Sequence, residues 1–159
     1  MLCRILDLII PNHMHQVNRQ AIVPHNARKM FELVNSVTTY PQFLKWCDDS
    51  HVIDETKEMM IAGMTISLAG IRQKFTTKNI FIYVQNDFRI NLTLVKGPFD
   101  KLSGYWLFTH LTAQASKIEL HLEFNFKSGI LNTAFKRAFG KIAQQLVADF
   151  VTRSNQIYL

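Results

Sequence analysis

The chain carries two hydrophobic rhythms, a two-residue alternation through its middle and a three-to-four-residue repeat at its C-terminal end. In Lys117–Lys127, Ile118, Leu120, Leu122, Phe124 and Phe126 fall on one side, and Glu119, His121, Glu123 and Asn125 on the other. Successive strand side chains point to opposite faces, so this segment predicts a strand with one wet face. Phe88, Ile90, Leu92 and Leu94 repeat the pattern against Arg89, Asn91 and Thr93. Residues 59–68, 72–83 and 101–111 are less regular but read as further strands. Gln85-Asn86-Asp87 separates two of these runs, and connections this short join antiparallel neighbours. Gly97-Pro98 cannot sit inside a central ladder, so the chain turns or reaches an edge there.

The longest periodic element runs from about Ser128 to Asn155. Leu131, Phe135, Ala138, Phe139, Ile142, Leu146, Phe150 and Val151 recur at helical spacing, with Lys136, Arg137, Lys141 and Arg153 opposite. Such a helix is a rod of roughly 40 Å. Near the N-terminus, a strand ending at Val23-Pro24 precedes a helix of about three turns, with Met30, Phe31, Leu33, Val34 and Val37 on one side and Asn26 as N-cap. Pro41 fits the first turn of a second short helix capped by Thr38 or Thr39.

These elements predict an α+β helix-grip fold: a curved antiparallel sheet of about six or seven strands, two short helices after the first strand, and a long C-terminal helix. A helix that long can bury its stripe only on the concave face of the sheet. A curved sheet bends away from a straight rod, so large side chains or a guest must fill the gap between them. Twelve Phe could close it, whereas Ala138, Gly140, Ala143 and Ala148 leave room.

With 159 residues, 48% hydrophobic and 19% charged, the chain suits one domain. Residues 14–159 are expected to form it. Asp7 interrupts the apolar run of residues 1–13 and no small-residue cleavage site precedes Pro11, so a secretory leader is not expected. Because a strand-like segment, His15–Val23, opens after Met14, residues 1–13 are expected to be disordered or to lie upstream of a true start at Met14. No stretch of eighteen apolar residues occurs, so a soluble or membrane-peripheral domain is expected. Two cysteines, Cys3 and Cys47, make no disulfide framework and point to a reducing compartment. The net charge of +6 favours anionic partners, such as RNA or lipid headgroups.

Nothing in the motifs calls for catalysis or a metal. Nucleophile elbow, Walker loop, dinucleotide glycines and zinc-protease helix are all missing. On an extended strand Cys47 and His51 lie about 13 Å apart, too far for a thiolate–imidazole pair. Glu119, His121 and Glu123 step about 7 Å along one face and cannot share one ion. Asp48 and Asp49 read as exposed turn carboxylates, and His13 and His15 as flexible residues beside the start.

The segment Val23–Val52, with its Val-Pro, helix and Tyr40-Pro41-x-Phe43-Leu44-x-Trp46-Cys47 run, resembles the opening of the coenzyme Q-binding, START-like family. Residues 70–79, the VKGPFDKLSGYWLF block and the LEFNFKSGILNTAF block agree, so the resemblance covers about residues 16–158. One departure is Lys45, where the family carries Pro.

The resemblance implies the START/Bet v 1-like fold and non-catalytic binding of ubiquinone or another polyprenyl lipid between sheet and helix, in support of respiration. The lipid would be cargo, with no cofactor required. The family's bacterial branch includes toxins that bind the large ribosomal subunit and block subunit association, which is the alternative reading. Ligand-binding residues are then expected at Tyr40, Phe43, Leu44, Trp46, Phe75, Phe88, Pro98, Phe99, Leu102, Trp106, Phe135, Phe139 and Ile142. RNA or anionic membrane contacts are expected at Arg72, Lys74, Lys78, Lys136, Arg137 and Lys141, with no role for DNA. A bacterial cytoplasmic location, peripheral at the inner membrane, follows from the same resemblance.

Overall fold

The computed structural model describes residues 14–129 and 131–158; the expectations for residues 1–13, His13 and Cys3 among them, fall outside that range. Seven strands form one antiparallel sheet: β1 (His15–Val23), β2 (Cys47–Glu55), β3 (Met59–Leu68), β4 (Ile71–Val84), β5 (Asp87–Lys96), β6 (Phe99–Thr112) and β7 (Ala115–Phe126), in the order β1-β7-β6-β5-β4-β3-β2. Strands β2 to β7 pair with their sequence neighbours because short turns join them, and β1 closes the sheet against β7, Val17 opposite Leu122. Phase is set as the alternation predicts: Ile118, Leu120, Leu122, Phe124 and Phe126 are buried. His15 is ordered in β1, its ring stacked on Phe124 at 5.2 Å, against the expectation of a flexible terminus.

Between β1 and β2 lie α1 (Ala27–Asn35) and a short 3-10 helix (Val37–Gln42). Asn26 caps α1, its Oδ1 accepting from the Lys29 N–H at 2.9 Å. Phe31 stacks on Phe88 of β5 at 5.0 Å, which seats α1 on the sheet. The second helix starts earlier than expected: it begins at Val37 after Ser36, not after Thr38 or Thr39, the Ser36 side chain makes no cap bond, and Pro41 lies near the end rather than in the first turn. The Tyr40 carbonyl accepts the N–H groups of both Phe43 (3.2 Å) and Leu44 (2.8 Å), which ends the helix and turns the chain toward β2.

The long helix α2 runs Thr133–Ile157, beginning about five residues later than its periodicity predicts. Asn132 fixes the start by accepting from the Phe135 N–H at 2.8 Å. Its buried row is Phe135, Phe139, Ala143, Val147, Phe150 and Ser154. Ile142 and Leu146, expected in the central stripe, lie on its flank and are only partly buried. The C-terminal end is pinned to the start of the domain: the His25 ring hydrogen-bonds Asn155 Oδ1 (2.9 Å), and the Ser116 hydroxyl donates to the His25 carbonyl (2.8 Å).

Candidate functional site

The mid-section of α2 stands off the concave face and leaves a cavity of about 130 Å³. Three groups of elements wall it. Val34 and Asn35 end α1, while Val37, Tyr40 and Trp46 belong to the segment that follows. The sheet contributes the inward phase of β3 to β7, including Met64, Phe75, Ile90, Leu92 and Trp106. The helix closes it with Phe139, Ile142, Ala143, Leu146 and Phe150. Of the four small helix residues expected to make room, Ala143 alone borders it; Gly140 faces open space and Ala148 is exposed.

Among the described residues, no Asp, Glu, Lys, Arg or His lines the cavity. Its one phenol is committed, since burial holds the Tyr40 hydroxyl far above its ordinary range, protonated, and it donates to the Val34 carbonyl.

Two residues of the wall carry buried polar atoms without partners. Among the described residues, only Asn35 Oδ1 and the Trp46 indole Nε1 are buried side-chain polar atoms without a hydrogen-bond partner. Both residues border this cavity. Backbone bonds hold Trp46 in place, its carbonyl accepting from the Ser67 N–H and its successor Cys47 donating N–H to Leu44, each at 2.9 Å. Thr77 and Asn79 on β4 also border the cavity.

The residues singled out in the sequence separate into two sets. Tyr40, Trp46, Phe75, Leu102, Trp106, Phe139 and Ile142 line the cavity. Phe43, Leu44, Phe88, Pro98, Phe99 and Phe135 do not. Phe99 backs Phe75 and Phe139 at 5.8 and 5.2 Å, Phe43 backs Tyr40 and Phe150, and Phe135 lies behind Phe126. Leu44 and Phe88 are core, and Pro98 forms the β5–β6 turn, where its carbonyl accepts from Lys127. Ile90, Leu92, Leu122 and Phe150 were legible as inward-phase positions. Asn35, Thr77 and Asn79 carried no such signal, because polar residues in an inward phase look like breaks in a pattern.

Cys47 is buried: burial pushes its thiol up to about 11, and the group donates to the Asp49 carbonyl at 3.4 Å. His51 instead meets Asp49 Oδ2 at 3.0 Å. On the outer face, Glu123 pairs with Lys101 (3.1 Å) and Glu119 with Lys117 (3.2 Å).

The six cations expected to meet RNA or membrane lie on opposite sides of the domain. Because Phe75, Thr77 and Asn79 face the cavity, Arg72, Lys74 and Lys78 occupy the outer face of β4. Lys136, Arg137 and Lys141 lie on α2, which covers the inner face. Arg72 is also engaged with Asp48 at 3.2 Å.

Comparison with known proteins agrees with this architecture. Residues 23–151 match the family described as polyketide cyclase / dehydrase and lipid transport. The ribosome association toxin RatA of Escherichia coli K12 is 39% identical over 154 residues, 97% of this chain and 93% of that protein. The mitochondrial coenzyme Q-binding protein coq10 of Schizosaccharomyces pombe is 21% identical over 141 residues, 84% of this chain and 82% of that one. Among solved structures, the Zhui aromatase/cyclase from Streptomyces superposes with a TM-score of 0.75 at 14% identity, covering 92% of this chain and 97% of that one. The shared sheet-and-helix frame and the match across most of the domain make this chain a member of the polyketide cyclase/dehydrase and lipid-transport family, with a START-like fold.

Proposed function

We propose that the domain binds, without chemically altering, one neutral and largely apolar ligand of the polyprenyl-quinone class in the cavity under α2, and so supports respiration. The carrying observation is a cavity walled mostly by apolar side chains and, among the described residues, bare of charge. Burying an unpaired charge there costs more than apolar contact returns, so fatty acids and phospholipids fit poorly. A void of about 130 Å³ suits one ring, and sites for whole cofactor-sized ligands run to roughly 300–1,000 Å³. The partly buried Ile142, Leu146, Met64 and Phe75 are the wall members that would shift for a tail. The test is purification from a quinone-rich bacterial host without detergent, followed by mass spectrometry of the organic extract. Stoichiometric quinone or polyprenyl lipid is expected, and its repeated absence overturns the reading.

A second reading is association with the large ribosomal subunit in a bacterial cytoplasm. It is favoured by the identity of 39% to a protein named a ribosome association toxin. The outer face of β4 is the surface offered, with Lys74 and Lys78 making no ion pair among the described residues. Phosphate contacts of this kind weaken steeply with salt. Co-sedimentation with large subunits at low salt, reduced by K74E/K78E and left intact by R137E/K141E, is the expected result. Absence of co-sedimentation at low salt removes this reading, and binding of the protein to anionic vesicles instead of subunits would assign the same cations to a membrane.

A further inference from the structure

We infer that Trp46 and Asn35 form the head-group recognition pair of the cavity, and that its ligand is a neutral ring bearing oxygen substituents rather than a plain hydrocarbon chain. The inference rests on the cavity-binding reading above and specifies the ligand's polar end. An indole N–H is a donor with no acceptor capacity, and at Trp46 it is buried without an acceptor. Asn35 Oδ1 is buried without a donor. Leaving such a group unpaired is unfavourable, and native interiors pair the great majority of them. Both residues border one void, and a small turn of either side chain would present its buried polar atom to a guest that supplies the missing partner.

The chemistry of the pair narrows that guest. Trp46 requires an acceptor, such as a ring carbonyl, hydroxyl or ether oxygen. Asn35 can accept from a hydroxyl, or, with its amide rotated about Cβ–Cγ, donate to a carbonyl. An oxidised quinone and its reduced hydroxyl form therefore share the recognised chemistry. A saturated or prenyl hydrocarbon satisfies neither residue. A carboxylate or phosphate brings a charge that the wall cannot balance.

The two residues are also held from different directions. Asn35 is the last residue of α1, next to Val34, whose carbonyl is capped by the Tyr40 hydroxyl. Trp46 is fixed by the turn into β2 and by its backbone bond to β3. A ring between them would be oriented with its oxygens toward this end, leaving Ile142 and Leu146 of α2 to meet the tail.

The test is calorimetric titration of the wild type, Trp46→Phe and Asn35→Leu with decylubiquinone, decylubiquinol and n-decylbenzene, together with thermal melting of each free protein. Each substitution keeps apolar bulk and removes the polar group. Both are expected to weaken binding of the two oxygenated ligands by about tenfold or more. Decylbenzene affinity should stay within about twofold or improve, and the free variants should melt at the wild-type temperature or above, since a buried orphan has been removed. Oxygenated-ligand affinities within about twofold of wild type in both variants, or equal losses for all three ligands, overturn the pair. Wild-type protein that binds decylbenzene as tightly as decylubiquinone overturns the pair while leaving an apolar cavity site standing. Wild-type protein that binds none of them overturns both the pair and the cavity reading.

Discussion

Trp106 of β6 and Phe150 of α2 meet edge to face with ring centroids 5.4 Å apart, joining the sheet to the helix at the wall of the cavity. Phe150 also meets Tyr40 and Phe43 at 5.4 and 5.3 Å. Removing it severs three aromatic contacts and enlarges a void already present. Phe150→Ala is expected to cost about 3–5 kcal/mol, at the upper end for a buried aromatic. Urea denaturation checks this, and a loss below about 1 kcal/mol would mean that α2 is held elsewhere.

Gly97, in the turn before β6, has φ +153°, and a Cβ there would come 2.6 Å from Phe75 Cβ. Gly97→Ala is expected to destabilise by about 1–3 kcal/mol from backbone strain and the clash together. Because Phe75 lines the cavity, the same variant should bind ligand more weakly. Chemical denaturation and a binding titration would register the two effects separately.

Cys47 has a thiol raised by burial from 9.0 to about 11. A group whose folded value lies above its unfolded one stabilises fully below the unfolded value and loses that contribution as pH rises through the folded one. The fall is therefore expected between about pH 9 and 11. Thermal melting across that window should show a steeper decline for wild type than for Cys47→Ala. Tyr40, also raised by burial, keeps part of the slope in the variant. At pH 8 the native thiol should react with a disulfide reagent far more slowly than in the unfolded chain.

Asn155 ties α2 to the loop after β1 through His25. Asn155→Ala leaves a buried ring nitrogen without that partner and is expected to cost about 1–3 kcal/mol. Hydrogen exchange should show the last two turns of α2 opening sooner while the centre of the sheet is unchanged.

Much of this architecture was legible in advance because strand alternation and helical periodicity are local signals. The inward phase of β7, the Asn26 cap and the turn at Gln85–Asp87 needed no tertiary information. The stripe of α2 was placed slightly askew, since Ala143 and Ser154 are weakly apolar or polar in the sequence and become central only through packing. The cavity lining divided for a related reason. Sequence identifies aromatic residues but not whether a ring faces the void, as Phe75 and Phe139 do, or supports it from behind, as Phe99 does. Orphaned polar atoms such as Trp46 Nε1 exist only in three dimensions.

Both tryptophans of the chain, Trp46 and Trp106, line the cavity, so a ring-bearing ligand must enter beside an indole. The most direct test of the central claim is a tryptophan-fluorescence titration with decylubiquinone of the wild type and of Ala143→Leu, which puts a larger side chain into the void at a folding cost of no more than about 1–3 kcal/mol. Saturable quenching with one site in the wild type, lost in the folded variant, is the predicted result. Absence of saturable quenching in the wild type, or equal quenching in both proteins, would contradict a ligand site beneath α2.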